Sequence, residues 1–181
     1  MTRLSVRIAV TGTPGTGKTS VCSISNWQSV SVKKLAEMNG CLEPIDLRDD
    51  AAPVDVEKLS KILKEKWNEN KEDVLIDGHL SHHLPVDAIV ILRCHPETLE
   101  ARLGKRNYSG EKINQNAESE LLGSIASEAF EMTGIPCLEI DSSANESIEI
   151  FQRVVAWITD GFKPSRPSVP IDWIERIHGS G

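Results

Sequence analysis

No hydrophobic run in this chain approaches the length of a membrane span. The longest uninterrupted apolar stretch near its middle is Ala88 to Leu92, far short of the roughly 18 to 20 residues that a spanning helix needs. Leu4 to Val10 is broken by Ser5 and Arg7 and runs straight into a glycine loop. A secretory leader is therefore not expected there, and the reading is of a soluble protein kept inside the cell, cytoplasmic, or also nuclear in a eukaryote. Paired cysteines are lacking too. Cys22, Cys41, Cys94 and Cys137 stand far apart with no C-x-x-C, which points to reduced structural thiols rather than a disulfide framework or zinc module. Nor is there an excess of positive charge. The 27 acidic side chains outnumber the 20 basic ones, for a net charge of -7, so duplex DNA is not an expected partner. What remains is ordinary globular usage, 39% hydrophobic and 26% charged over 181 residues, enough for one compact domain with a proper core.

Short apolar runs alternate with helical patterns. Leu4 to Val10 reads as a buried strand ending in Thr11-Gly12, after which a glycine-rich turn opens a helix near Lys18. A short strand over Trp27 to Val30 and a helix around Lys33 to Met38, stopped by Gly40, come next. Between Cys41 and Pro53 the acidic residues Glu43, Asp46, Asp49 and Asp50 mark a surface excursion. Asp55 is a natural N-cap for a helix carrying Val56, Leu59, Ile62, Leu63 and Trp67 at three- and four-residue steps. Val74 to Ile76 and Ala88 to Leu92 have the form of strands buried on both faces of a parallel sheet.

Pro96 and Glu97 start another helix, and the pattern predicts one longer helix from about Glu111 to Met132. Ile135 to Ile140 is the last strand. A final helix is expected to bury Ile148, Phe151, Val155 and Ile158, with Gly161 ending it. Beyond Gly161, three prolines within seven residues predict an extended tail over 162–181, with Ile171 to Ile177 docking back through Trp173. Strands alternating with helices predict an α/β fold with a doubly wound, five-stranded parallel sheet and right-handed crossovers.

The sharpest signal is GTPGTGKT at Gly12 to Thr19, which fits G-x-x-x-x-G-K-[ST] without a mismatch and lies between a strand and a helix. Glycines at 12, 15 and 17 let backbone N–H groups converge on a phosphate, and Lys18 would reach the β and γ oxygens. Thr19 would give its hydroxyl to magnesium. Asp77, closing Val74-Leu75-Ile76-Asp77, is the best candidate for the second magnesium contact, although Asp before Gly is also common in turns.

Asn70-Lys71-Glu72-Asp73 matches the N-K-x-D with which switch GTPases read guanine, but it precedes the magnesium strand instead of following it. No D-x-x-G comes after Val74 to Ile76. These four residues read as a solvated helix terminus. Arg102 and Arg106 lie four apart on one helix face. Arg106 suits a fork on phosphate oxygens, while Arg102 could stack on a base or pair with a carboxylate.

The P-loop, the Asp-x-His at Asp77 to His79, Arg102-Leu103-Gly104-Lys105-Arg106, and the run R-N-Y-S-x-x-K-I-x-x-N from Arg106 to Asn116, followed by Glu120, resemble the small adenylate kinases of the ribosome-maturation branch. The resemblance covers about residues 4 to 160. It implies an adenylate kinase-like fold with a short lid at about Lys105 to Gln115, and a monophosphate-binding segment between about Val32 and Pro53. It implies ATP contacts at Gly15, Gly17, Lys18, Thr19 and Ser20, with Arg102 and Arg106 nearby, and magnesium at Thr19 and Asp77. His79 would orient the attacking group or position a water.

The activity implied is magnesium-dependent transfer from ATP to AMP or a related monophosphate, with ATP hydrolysis beside it. The cellular role implied is small-subunit rRNA maturation (16S/18S), through transient binding to a ribosomal protein of the platform by a monomer. The alternative is a nucleotide-switched assembly ATPase with negligible kinase activity. His82 and His83 follow His79 at metal-like spacing, but three histidines near phosphates more often reflect local polarity than a zinc site. No arginine occurs between Arg106 and Arg153, so few cations serve the transferred phosphoryl and turnover should be slow. A short lid excludes water poorly, which makes hydrolysis a plausible companion.

Overall fold

The chain is described by a computed structural model over residues 5–44, 52–67 and 73–179. Arg48 and most of the acidic excursion, with Asn70, Lys71 and Glu72 of the N-K-x-D run, lie outside the described residues. Asp73 is described, and it is no solvated terminus: its Oδ1 accepts from the Val6 amide at 3.0 Å.

Five parallel strands form one sheet: β1 (Arg7–Thr11), β2 (Gln28–Ser31), β3 (Val74–Asp77), β4 (Ala88–Arg93) and β5 (Cys137–Asp141). Their spatial order is β2-β3-β1-β4-β5. The central strands read as continuous apolar runs because both faces are covered. Successive side chains point to opposite faces, so Ile8, Val10, Leu75, Val90 and Leu92 enter one core and Ala9, Ile76, Ile89 and Ile91 the other. The first core is closed by α1 (Lys18–Ile24) and α7 (Ser147–Thr159), through Val21, Cys22, Ile150, Val154 and Trp157. The second is closed by α2 (Val32–Asn39), α3 (Val56–Lys66) and α6 (Ser124–Glu131), through Leu35, Leu59, Leu63 and Ala129. Each large aliphatic side chain buried this way contributes roughly 1.5–3 kcal/mol.

Asp55 caps α3 by accepting from the Lys58 amide, and Gly40 ends α2 in the left-handed conformation. The expected single helix over Glu111 to Met132 is two helices, α5 (Gly110–Leu121) and α6. Gly123 breaks it at φ 65°, leaving an added Cβ only 3.3 Å from the Arg93 guanidinium. The break lets that guanidinium donate to the Glu120 carbonyl at 3.0 Å. In α7 the buried stripe is Ile150, Val154 and Trp157, whereas Ile148 is exposed. Phe151 and Ile158 are only partly buried beside that stripe.

The segment after Gly161, expected to be extended, ends in a helix, α8 (Trp173–His178), whose Trp173 is buried. Between β4 and α5 lies α4 (Pro96–Gly104). Residues 105–109 form an exposed turn leading into α5. No described helix is long and apolar enough to cross a membrane.

The strand order reverses at β1, which has β3 on one side and β4 on the other. In an open parallel sheet the carboxyl-terminal edge at such a point forms a crevice for ligands. The turns after β1, β3 and β5 all start there.

Candidate active site

The loop between β1 and α1 is shaped by its backbone. Gly12 adopts φ 140°, and a Cβ there would collide with the Leu92 carbonyl oxygen, so a side chain is excluded by contact with β4 as well as by conformation. Gly17 sits at the N-cap of α1 with no side-chain cap, which leaves the first amide N–H groups of the helix for an anion. Thr16 closes the turn by donating its hydroxyl to the Thr13 carbonyl at 2.9 Å.

Lys18 folds back over this loop, its Nζ donating to the carbonyls of Gly12 at 2.7 Å and Thr13 at 3.0 Å. Burial lowers its pKa to about 8, helped by Arg106 and opposed by Asp77 and Glu120. A phosphate arriving here would offer the ammonium better acceptors than the two carbonyls it now uses.

At the end of β3, Asp77 Oδ2 accepts from Thr19 Oγ1 at 2.6 Å. A hydroxyl and a carboxylate side by side make an all-oxygen pair, which fits magnesium. His79 follows on the turn after β3 and shares a cavity wall with Lys18 and Asp77. Its pKa is lowered, first by burial and then by the Lys18 charge, with Glu128 acting in the opposite direction. The ring is therefore neutral around pH 7 and can accept as well as donate.

Beneath the loop lies a buried charged cluster. Glu120 Oε2 accepts from Thr13 Oγ1 at 2.5 Å, and its Oε1 accepts from Arg93 Nε at 2.8 Å, the Cys94 amide at 3.0 Å and Trp173 Nε1 at 3.0 Å. Arg93 also donates to Glu139 Oε1 at 2.7 Å. Each charge thus has several partners, the condition under which buried ions are tolerated. The cluster ties the P-loop to β4, β5, α5 and α8.

Ser142, after β5, donates its Oγ to the Thr16 carbonyl at 2.7 Å. Arg102 holds the same junction: its guanidinium donates to the Ser142 carbonyl at 2.7 Å and reaches the Gly15 carbonyl at 3.5 Å. The carboxylate partner considered for Arg102 is not found among the described residues. Carbonyls next to the P-loop occupy its fork instead.

Two cavities flank the loop and share Gly15, Gly17 and Arg106. One, of about 360 Å³, is bounded by Ser20, Arg102, Lys105, Ser142 and Asn145. The other, of about 540 Å³, is bounded by Lys18, Thr19, Lys33, Val54, Asp77 and His79. Arg106 stands exposed on the turn after α4 where they meet. The structure thus gathers Gly15, Gly17, Lys18, Thr19, Asp77, His79 and Arg106 around one cleft, with Ser20 and Arg102 on its far side.

Sequence reading did not find the props of the cleft: Thr13, Arg93, Glu139 and Ser142, with Glu120 noted only as part of a motif. The available signal was an arginine closing the apolar run of β4, which needs a buried counter-charge.

Comparison with known proteins agrees with this geometry. The sequence model of the AAA domain family matches residues 8–123, more than half of the chain. A protein of Thermococcus onnurineus named "Putative adenylate kinase" is 36% identical over 172 residues, covering 93% of this chain and 91% of its own. A protein of the same name from Archaeoglobus fulgidus is 36% identical over 176 residues, covering 94% and 93%. Among solved structures, shikimate kinase from Acinetobacter baumannii superposes with a TM-score of 0.58 at 13% identity, covering 87% of this chain and 94% of its own. Deoxyadenosine kinase from M. mycoides superposes with a TM-score of 0.52 at 17% identity, covering 85% and 99%. Those two likenesses establish the P-loop kinase fold. By sequence, the chain belongs to the family of the two archaeal proteins, within the broader P-loop class that the AAA domain describes.

Proposed function

We propose that the protein is a magnesium-dependent nucleoside monophosphate kinase that moves the γ-phosphoryl of ATP to AMP or a similar acceptor. The observation that carries this reading is the pair of cavities meeting at Gly15, Gly17 and Arg106. A hydrolase needs one nucleotide pocket and a water, whereas a transferase needs two substrate pockets with the phosphate cradle at their junction. The archaeal relatives named for adenylate kinase support the same reaction.

In this reading the base and ribose of ATP occupy the cavity bounded by Arg102, Ser142 and Asn145. The β-phosphate rests on the amides of residues 15–18, and the acceptor lies toward Lys33, Val54 and His79. An oxygen of the acceptor phosphate bonds to Pγ while the bond from Pγ to the β-bridging oxygen breaks and ADP leaves. Lys18 and Arg106 neutralise charge on the moving group from opposite sides. Thr19 and Asp77 would hold magnesium, which would supply further neutralisation. Neutral His79 donates its ring N–H to an oxygen of the acceptor phosphate and orients it.

Arg106 is exposed on a short turn, so water reaches the same phosphoryl and ATP hydrolysis accompanies transfer. This favours a second reading, an ATPase cycle that binds and releases a ribosomal protein during small-subunit rRNA maturation. The net charge of -7 suits a basic partner of that kind.

Phosphorus NMR with magnesium-ATP, with and without AMP, decides between the two. ADP formed only with AMP present, in excess of the phosphate released and at two ADP per ATP transferred, establishes the kinase. Phosphate release that ignores AMP establishes the ATPase and removes the transferase.

A further inference from the structure

The 3-10 turn Ser81–His83 lies behind the cleft, and the proposed transfer uses neither of its histidines. His82 Nε2 is 3.4 Å from Glu128 Oε2 on α6, and His83 Nε2 is 3.5 Å from the same oxygen. The three ligand atoms all lie within 4.8 Å of one another. The two imidazoles overlap with centroids 4.0 Å apart, so neighbouring residues present the same ring edge to one carboxylate. The His82 side chain is wholly buried, while those of His83 and Glu128 are 29% and 52% exposed. The cluster is thus walled on the protein side and open to solvent on the other.

One tautomer of His82 leaves its Nε2 able to bind a cation. Thr11 Oγ1 lies 3.1 Å from the His79 carbonyl oxygen and 2.9 Å from His82 Nδ1. In the tautomer whose threonine proton points to the His79 carbonyl, the threonine oxygen accepts from Nδ1–H. Nε2 then carries a lone pair and no proton. What faces it is a carboxylate oxygen, also an acceptor, and two acceptors at that separation repel unless a cation lies between them.

We propose that His82, His83 and Glu128 bind one divalent transition cation of the zinc class through the two Nε2 atoms and the carboxylate. Zinc with nitrogen and oxygen ligands at about 2.0–2.1 Å has tetrahedral edges of roughly 3.3–3.5 Å. The two edges to Glu128 already have that length. Two imidazoles with one carboxylate select zinc or its neighbours over magnesium, which takes oxygen. The fourth position opens to water. Thr11 is the outer partner that orients His82, and it directly precedes the P-loop. The ion therefore clamps α6 to the turn carrying His79, apart from the Thr19–Asp77 pair.

The test is calorimetric titration of Zn2+ alone into the chelator-treated full chain without nucleotide, followed by the visible spectrum of the Co2+ form. One Zn2+ per chain, an intense tetrahedral Co2+ band and a higher Tm with Zn2+ are expected. His83→Ala and Glu128→Gln, both at solvent-accessible positions, should each weaken Zn2+ binding at least tenfold and remove the Tm shift, with far-UV circular dichroism unchanged. Absence of stoichiometric binding to the wild type overturns the proposal. So does binding of equal strength in both variants, which places the ion on other histidines, or an octahedral Co2+ spectrum, which places it on oxygen ligands.

Discussion

Thr13, the second residue of the glycine loop, donates its hydroxyl to Glu120 Oε2 at 2.5 Å. Both side chains are buried, 107 residues apart in the chain. The loop that would hold the phosphates is thus anchored to a carboxylate that also serves Arg93, Cys94 and Trp173. Glu120→Ala should destabilise the fold by about 3–5 kcal/mol, because Arg93 loses a buried partner. Thr13→Val leaves one acceptor unpaired and should cost about 1–3 kcal/mol. Urea unfolding of both variants checks this order, and a Glu120→Ala loss below that of Thr13→Val contradicts the anchor.

Lys18 in the free protein titrates at about 8, and a polyphosphate stabilises its charged form. Nucleotide affinity should therefore be full below that pH and fall as pH rises through it. Binding near pH 8 should take up about half a proton, and more at higher pH. Calorimetry of ATP binding in buffers of different ionisation enthalpy measures that uptake. Proton release, or none, contradicts the assignment of Lys18 to the phosphates.

Thr19 Oγ1 and Asp77 Oδ2 are 2.6 Å apart and form the pair that suits magnesium. Asp77→Asn keeps the shape and removes the charge, so it should raise the magnesium concentration for half-maximal turnover and lower kcat by about 100-fold or more. Thr19→Ser, which retains the hydroxyl, should stay near wild type. A magnesium titration of turnover in each variant decides it.

Trp173 is buried against the Arg93–Glu120 cluster, and its Nε1 bonds the Glu120 carboxylate. Trp173→Ala should cost about 3–5 kcal/mol in stability, a loss characteristic of core rather than of a free terminal segment. Thermal unfolding followed by circular dichroism tests it, and an unchanged Tm would show that α8 is dispensable.

Much of the cleft was legible along the chain. GTPGTGKT stands out because its glycines and lysine form one contiguous backbone turn, and Asp77 because it closes an apolar strand; the structure brings both to one cleft. The single helix expected over Glu111 to Met132 failed for a reason periodicity does not contain. Apolar spacing continues across Gly123, but the left-handed turn there is needed by Arg93, a residue of another element. The stripe expected on the last helix was misplaced because Ile148 and Ile150 are equally apolar. Only packing against α1 and β5 selects between them.

The sequence by itself determined what depends on near neighbours: the alternation of strands and helices, the glycine loop with its lysine, and the caps at Asp55 and Gly40. The tertiary structure decided what depends on distant residues meeting. It placed Glu120 under Thr13, turned Arg102 toward carbonyls instead of a carboxylate, and brought Glu128 to His82 and His83. The physical reason is that a buried polar atom must find a partner. Composition states that need, but which side chain meets it follows only from how the sheet and its helices pack.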